Sequence, residues 1–241
     1  MKVKDIPLRE RIIFALDVDN AADALRFVDM LGGTIGYFKV GLQLFLAEGF
    51  PLLTRIRERG GLGNKIMLDL KFLDIPQTTA MAMREAARHG ADMATIHAHV
   101  GSVVRAAVEQ ARDTTVLGVT VMTSYGDEEL AELGYPGSIA DLVEARAGIA
   151  LAGGCGGVVA SAREASLLRR AYGDDFLIVT PGIRMPGAGG HDDQTRVMTP
   201  ARAMASGADY LVVGRPISRA DNPVEMAERM LREVAETLEA G

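Results

Sequence analysis

The chain alternates eight short apolar segments with segments of helical pattern. Each apolar segment is continuous rather than alternating with polar residues, which is typical of parallel strands covered on both faces. These segments predict strands over residues 12–18, 37–41, 65–72, 93–98, 115–122, 156–161, 176–183 and 210–216. The segments between and after them predict helices over residues 21–31, 42–59, 77–89, 101–111, 138–152, 162–172, 199–206 and 223–239.

The predicted helix over residues 42–59 illustrates the helical pattern. Leu42, Leu46, Leu53 and Ile56 recur in it at roughly helical spacing. Such spacing is typical of an amphipathic helix with one apolar stripe. We therefore expect a single helix whose apolar stripe includes all four side chains.

The number of strand–helix pairs narrows the fold. Eight pairs in 241 residues match the size of a (β/α)8 barrel. The main alternative, an open doubly wound sheet, usually carries G-x-G-x-x-G after its first strand. Here the first strand ends in DVDN at residues 17–20, without a glycine. Because no linker or low-complexity tract divides the chain, we predict an α/β fold, a TIM barrel forming a single domain over residues 1–241.

Composition limits the partners and the compartment. The chain has 26 Lys and Arg against 32 Asp and Glu, a net charge of −6, so no long-range attraction to nucleic acid or to an anionic membrane is expected. The one cysteine, Cys155, fits a reducing compartment, and we predict a cytoplasmic protein. His97 and His99 have a spacing that suits a shared face, but no third ligand stands nearby in the sequence, so no metal site is predicted.

Charged residues mark the ends of the first three predicted strands. Asp17 ends the first strand, Lys39 lies in the second, Asp69 and Lys71 lie in the third, and Asp74 follows it. Alternation along a strand places Asp69 and Lys71 on one face. Chemistry in such barrels occurs at the carboxyl ends of the strands, and buried charges are tolerated only when paired. A catalytic cluster is therefore favoured over a purely structural ion-pair network.

The ends of the last two predicted strands resemble an anion site. The seventh predicted strand ends in PGIR at residues 181–184, and the eighth ends in Gly214 and Arg215. Barrels commonly hold a phosphate at these two loops, and Arg184 and Arg215 offer planar, permanently charged donors. The glycine-rich segment that follows Arg184, from Met185 to Gln194, suits a lid over a bound anion. The alternatives are that the arginines are solvated charges at the rim of the barrel and that the glycine-rich segment is an ordinary surface loop.

Several motifs together resemble one enzyme family. FALDV, FKVG, DLKFLDIPQT, VMTS, TPGIR and VVGRPI are similar to orotidine 5′-monophosphate decarboxylases of the bacterial type, from the first strand to the last. The resemblance implies removal of carbon dioxide from orotidine 5′-phosphate to give uridine 5′-phosphate, the last step of pyrimidine synthesis. It also implies that no metal or organic cofactor is needed. The expected assembly is a homodimer with sites at the subunit interface.

The resemblance assigns roles within the charged cluster. Asp17 and Lys39 would bind the ribose hydroxyls. Lys39 would also join Asp69 and Lys71 in a charge network. Lys71 is then the expected group that stabilises and protonates the carbanion at ring carbon 6.

Further roles follow from the same resemblance. Asp74 and Thr78 would reach into the neighbouring subunit's site. Thr123 would hydrogen-bond the pyrimidine, and Gln194 would bridge the closed lid to the base and phosphate. We therefore expect each site to contain residues of both subunits.

The resemblance also assigns the residues that would bind the phosphate group of the substrate. By resemblance, Arg215 and the backbone of Gly214 would hold the phosphate, with Arg184 placed as in the bacterial branch.

Two other functions remain as alternatives. One alternative is a magnesium-dependent sugar-phosphate decarboxylase or aldolase of the same barrel group, which carries an acidic residue where Lys39 stands. Another is a non-catalytic phosphate-binding barrel, which would not need the charged cluster.

Overall fold

The computed structural model describes residues 3–59, 63–185 and 198–240. Eight parallel strands close into a barrel in sequence order, β1 to β8, with Ile12 of β1 beside Leu211 of β8 at the closure. The predicted TIM-barrel fold is therefore confirmed. The strands are β1 Ile12–Ala15, β2 Tyr37–Gly41, β3 Lys65–Phe72, β4 Met93–His97, β5 Thr115–Val119, β6 Gly157–Val159, β7 Leu177–Thr180 and β8 Tyr210–Val213.

Helices surround the sheet in the described part of the chain, and a short 3-10 turn, Leu8–Glu10, precedes β1. The helices are α1 Ala21–Leu31, α2 Leu42–Glu48, α3 Pro51–Glu58, α4 Pro76–Arg88, α5 Gly101–Val108, α6 Asp127–Glu132, α7 Ile139–Ala152, α8 Ala162–Tyr172, α9 Pro200–Ala205, α10 Arg215–Ser218 and α11 Pro223–Ala240. Within these ranges no helix is long and apolar enough to cross a bilayer.

The single helix predicted over residues 42–59 was wrong. Gly49, with φ +65°, ends α2, and Pro51 begins α3. A backbone conformation with positive φ favours glycine. Proline suits the first position of a helix, because the N–H that proline lacks would have no partner within the helix there. Leu53 of α3 is buried, as expected, but Leu42 and Leu46 of α2 are 56% and 76% exposed. Because the helix breaks at Gly49, the apolar stripe does not continue across α2 and α3.

Strand ends also differ from the prediction. β2 and β3 have the predicted bounds, whereas the other six strands stop one to three residues early. The apolar runs continue into loops whose side chains remain buried, among them Leu16, Val121 and Ile183. Hydrophobicity therefore marks burial beyond the point where the regular strand ends.

The barrel encloses its own apolar core. Tyr37 and Tyr210 meet edge to face inside it, with ring centroids 5.8 Å apart. They belong to a small apolar cluster that is separate from the larger core between the sheet and the helices. The buried residues of this small cluster are Ile13, Tyr37, Met67, Met93, Leu117, Val179 and Tyr210. This filling leaves room for a ligand at the carboxyl ends of the strands.

Candidate active site

A cavity of about 210 Å³ opens at the carboxyl ends of the strands. Its walls include apolar side chains such as Met67, Val159 and Val212. Most of the residues predicted from the sequence line it, namely Asp17, Lys39, Asp69, Lys71, Thr123, Arg184, Gly214 and Arg215. The fold thus gathers residues from six different strands or the loops after them around one space.

Four charged side chains form an alternating row in this cavity. Lys39 Nζ lies 3.1 Å from Asp17 Oδ1 and 3.6 Å from Asp69 Oδ2. Lys71 Nζ lies 2.9 Å from Asp69 Oδ1. The Lys39 and Asp69 side chains are about one-tenth exposed, whereas that of Lys71 is 29% exposed. The most accessible ammonium group of the row therefore belongs to Lys71.

Burial and pairing compete at the two deepest charges. Burial disfavours the charged form of Lys39, but the carboxylates of Asp69 and Asp17 outweigh it and raise the pKa of Lys39. Burial likewise disfavours ionised Asp69, but Lys39 and Lys71 outweigh it and lower the pKa of Asp69. Both groups are therefore charged at neutral pH, and the row is a fixed pattern of charges shielded from bulk water.

The backbone between Asp69 and Lys71 is not a regular strand. The β3–β4 register passes from Leu68 opposite Ala94 to Phe72 opposite Ile96, so β3 contains extra residues there. Lys71 itself has φ +50°. Simple alternation is therefore not the reason that the Asp69 and Lys71 side chains reach the same cavity, because an irregular strand segment turns the lysine towards it.

Sequence reasoning missed two residues that support this row. Thr95 Oγ1 donates to Asp69 Oδ1 at 3.0 Å and accepts the Lys71 backbone N–H at 2.9 Å. Gly41 leaves space for Lys39, since a Cβ at this position would lie 3.1 Å from Lys39 Nζ. The glycine that ends FKVG, two residues after Lys39, is a readable signal, but a threonine in an apolar strand is not.

Residues of the predicted anion site line the same cavity. Gly182, with φ +80°, turns the chain after β7 and brings Arg184 to the cavity wall. Gly214 caps the amino end of α10, whose first residue is Arg215. Two guanidinium groups beside glycine backbone are suited to bind a phosphate group.

Two predicted residues lie elsewhere, and a third falls outside the described residues. Asp74 and Thr78 are exposed, in the loop after β3 and the first turn of α4, and do not line this chain's cavity. Asp74 Oδ1 accepts the backbone N–H of Ile75 at 2.7 Å. Gln194 lies outside the described residues, as do residues 186–193 of the lid predicted over residues 185–193. The roles of all three stay predictions.

The remaining reactive side chains do not form a metal site in the described ranges. His97 and His99 stack with ring centroids 4.9 Å apart, but no group of three His, Cys, Asp or Glu there is arranged to hold an ion. Burial raises the pKa of the Cys155 thiol to about 12. This cysteine is therefore a buried packing residue, with little thiolate at neutral pH.

Comparison with known proteins gives consistent matches over nearly the whole chain. Residues 10–230 match the model of the orotidine 5′-phosphate decarboxylase / HUMPS family. An orotidine 5′-phosphate decarboxylase of Syntrophotalea carbinolica is 44% identical over 246 residues, covering 98% of this chain and 99% of the relative. One of Rhodopseudomonas palustris is 45% identical over 233 residues, 96% of each chain. A crystal structure of orotidine 5′-phosphate decarboxylase from Lactobacillus acidophilus has a TM-score of 0.82 at 32% identity, covering 93% of this chain and 99% of that one.

Proposed function

The chain belongs to the orotidine 5′-phosphate decarboxylase / HUMPS family, and we propose that it converts orotidine 5′-phosphate into uridine 5′-phosphate and carbon dioxide in pyrimidine biosynthesis. The observation that carries this proposal is the alternating row of Asp17, Lys39, Asp69 and Lys71 in the cavity that Arg215 also lines. This arrangement combines an anion-binding group with fixed charges of both signs.

Lys71 carries the chemical step. When the bond between ring carbon 6 and the carboxylate breaks, its electron pair stays on carbon 6, in an orbital that ring resonance cannot spread. The Lys71 ammonium stabilises this pair and then transfers a proton to carbon 6, while the carboxylate leaves as carbon dioxide. A unit charge pair at about 4 Å and an effective dielectric constant near 20 contributes about 4 kcal/mol. Because enzymes lower barriers by about 8–23 kcal/mol, other groups must contribute as well.

Asp69 supplies a second contribution. Its carboxylate accepts from Lys71 at 2.9 Å and stays ionised beside Lys39. Placed near the substrate carboxylate, it repels the ground state, and departure of neutral carbon dioxide relieves that repulsion. Asp69 also holds the Lys71 ammonium in place for proton transfer.

The remaining cavity residues bind the substrate away from the reacting bond. Asp17 and Lys39 contact the ribose hydroxyls, and Thr123 contacts the pyrimidine. The phosphate is bound by Arg215 with the Gly214 backbone, and also by Arg184 and Gln194. Binding energy from the phosphate is used at the transition state, because it holds the ring against the charged row.

A homodimer completes the site. Five large apolar side chains are 53–76% exposed at the carboxyl ends of β2, β3 and β4, namely Leu42, Leu46, Leu73, Ile75 and Val100. Exposed apolar surface of this kind is suited to a protein partner. Asp74 lies between Leu73 and Ile75 in the sequence, and Thr78 follows Ile75 by three residues. A second copy covering this surface receives both residues in its own cavity. The chain acts as one catalytic domain over residues 1–241, in the cytoplasm.

The magnesium-dependent sugar-phosphate chemistry of related barrels is less well supported. That chemistry requires an acidic residue where Lys39 stands, and the Lys39 ammonium lies 3.6 Å from Asp69. A divalent cation at Asp69 would be repelled by this ammonium. A non-catalytic phosphate-binding barrel would bury the charged row without using it, at a cost in desolvation.

Turnover of orotidine 5′-phosphate by chelator-treated protein tests the proposed function. The change in ultraviolet absorbance should report complete conversion to uridine 5′-phosphate at the rate of untreated protein. Lys71→Ala should lower kcat by about a thousandfold, the equivalent of 4 kcal/mol, and still bind uridine 5′-phosphate. Lys65→Ala, which removes a lysine at the other end of the same strand, should keep full activity. A folded wild-type protein that leaves the substrate unchanged refutes the proposal.

A further inference from the structure

Thr95 of β4 occupies an unusual place in the sheet. In the irregular stretch of β3, the three residues 69–71 lie opposite this single residue. Extra residues in one strand leave backbone groups without regular ladder partners. Lys71 is in this stretch with φ +50°, a conformation that non-glycine residues rarely adopt. Its backbone N–H is donated to a side chain, Thr95 Oγ1, at 2.9 Å.

The Thr95 hydroxyl is used in both directions. It accepts from the Lys71 backbone and donates to Asp69 Oδ1 at 3.0 Å. An ionised carboxylate only accepts hydrogen bonds, so the hydroxyl proton must point to Asp69. Thr95 is fully buried, and water does not compete for either bond. One side chain thus connects the backbone of the proposed proton donor with the carboxylate beside it.

We propose that Thr95 is a positioning residue for decarboxylation. Its hydroxyl holds the Lys71 backbone in the left-handed conformation and the Asp69 carboxylate in one orientation, which together place the Lys71 ammonium against the substrate. This inference rests on the proposed function, because that function gives Lys71 and Asp69 their roles. Thr95 does not line the cavity and acts only through these two residues.

The geometry separates this role from substrate binding. Asp69 Oδ1 receives both Thr95 Oγ1 and Lys71 Nζ, whereas Oδ2 faces Lys39. Without the hydroxyl, Oδ1 loses one donor and the Lys71 N–H loses its side-chain acceptor. The proposed phosphate-binding residues Arg184, Gly214 and Arg215 follow β7 and β8, which are not neighbours of β3 in the barrel. Loss of the hydroxyl should therefore slow the chemical step while the substrate still binds.

Thr95→Val is the direct test, since it removes the hydroxyl and keeps the shape of the side chain. Loss of hydrogen bonds to buried groups corresponds to a decrease in kcat of about 10- to 100-fold, with KM changed by less than about threefold. The acid limb of the pH profile of kcat/KM should move to higher pH, because Asp69 loses a donor that stabilises its ionised form. Thr95→Ser, which keeps the hydroxyl, should restore kcat to within about threefold of wild type.

A matched control is Thr114→Val at the opposite end of the barrel. Thr114 is also buried and donates through its hydroxyl, to the Ala91 carbonyl at 2.7 Å. This variant should lose stability but keep the wild-type kcat and pH profile. If Thr95→Val does not fold, Thr95→Ala replaces it as the variant without a hydroxyl.

Two results overturn the inference. One is a hydroxyl-free variant with wild-type kcat and an unshifted acid limb. The other is a Thr95→Ser protein as slow as Thr95→Val, which would indicate that packing alone matters. Both are read against an active wild-type enzyme, so they differ from failure of the proposed function, in which the wild-type protein itself does not convert orotidine 5′-phosphate.

Discussion

Lys4 Nζ lies 2.9 Å from each carboxylate oxygen of Asp209, a residue 205 positions further along the chain. Asp209 is buried just before β8 and also accepts from Arg169 Nη2 at 2.6 Å and from the Ile178 backbone N–H at 2.8 Å. The amino-terminal segment, α8, β7 and β8 are thus joined at the end of the barrel opposite the active site. We therefore expect this network to contribute to stability and not to catalysis.

Asp209→Asn should lower the free energy of unfolding by about 3 kcal/mol. The neutral amide leaves the Arg169 guanidinium, which is 8% exposed, buried without its full counter-charge. Urea unfolding measures the loss, and kcat should be unchanged. Asp29→Asn is the control, since Asp29 pairs with Arg59 on the surface and should change stability by at most about 1 kcal/mol. Equal losses in the two variants would contradict a special role for the buried network.

Arg215→Ala should weaken binding of uridine 5′-phosphate by about 10- to 100-fold, since hydrogen bonds to charged groups contribute about 1.5–3 kcal/mol. Arg215 lies at the start of α10 and lines the cavity. Calorimetric titration gives the dissociation constants directly. Arg232→Ala, on the exposed face of α11, should bind like the wild type. Equal affinities for wild type and Arg215→Ala would remove Arg215 from the phosphate site.

His97 should make the protein less stable in mild acid. Burial, followed by the charges of His99, Lys71 and Arg146, lowers the pKa of His97 from 6.5 to about 4, although Asp69 opposes this shift. Between these values the unfolded chain binds a proton that the folded chain does not. The contribution of His97 to stability is therefore present above pH 6.5 and is lost as the pH falls towards 4.

Replacing this ring tests the expected pH dependence. His97→Phe keeps an aromatic partner for the stacked His99 but does not titrate. Its free energy of unfolding should fall less between pH 7 and about pH 4.5 than that of the wild type, over the range set by the two pKa values. Urea unfolding at both pH values measures the difference. Equal decreases in the two proteins would show that His97 titrates alike in the folded and unfolded chains.

The fold was predictable because strands that are covered on both faces appear in the sequence as continuous apolar runs, and eight such runs alternate with helical patterns. The bounds of β2 could be predicted because Gly36 precedes it and Gly41 ends it, and the start of β3 could be predicted because Asn64 and Lys65 stand there. Six other strand ends could not, since side chains such as Leu16 and Ile183 stay buried after the strand has ended. The division of the second helix was signalled by Gly49 and Pro51, but the spacing of leucines masked it.

The candidate site was predictable to the extent that it consists of charges in an apolar setting. Lys39 and Asp69 stand out in strands that are otherwise apolar, and such charges require partners. Thr95 did not stand out, because threonine is common in strands. Its significance depends on the irregular register opposite Asp69 and on the left-handed Lys71, which are set by three-dimensional packing.

Mixed dimers test whether each site draws on two subunits. Asp74 is exposed and outside its own chain's cavity, whereas Lys71 lines it. Asp74→Asn and Lys71→Ala should each be inactive as homodimers. A mixed dimer should contain one site with both native residues, so equal mixing should recover about a quarter of wild-type activity, because half of the dimers are mixed and one of their two sites is intact.

The control mixture separates shared sites from nonspecific recovery. Lys39 and Lys71 line the same cavity of one chain, so a dimer of Lys39→Ala with Lys71→Ala carries a defect in both of its sites. That mixture should stay inactive, and subunit exchange in both mixtures is verified by mass spectrometry of differently tagged chains. A verified Asp74→Asn and Lys71→Ala dimer without activity would mean that Asp74 serves the site of its own chain. Recovery confined to the first mixture would place Asp74 in the partner's site, because only there do complementary defects leave one site whole.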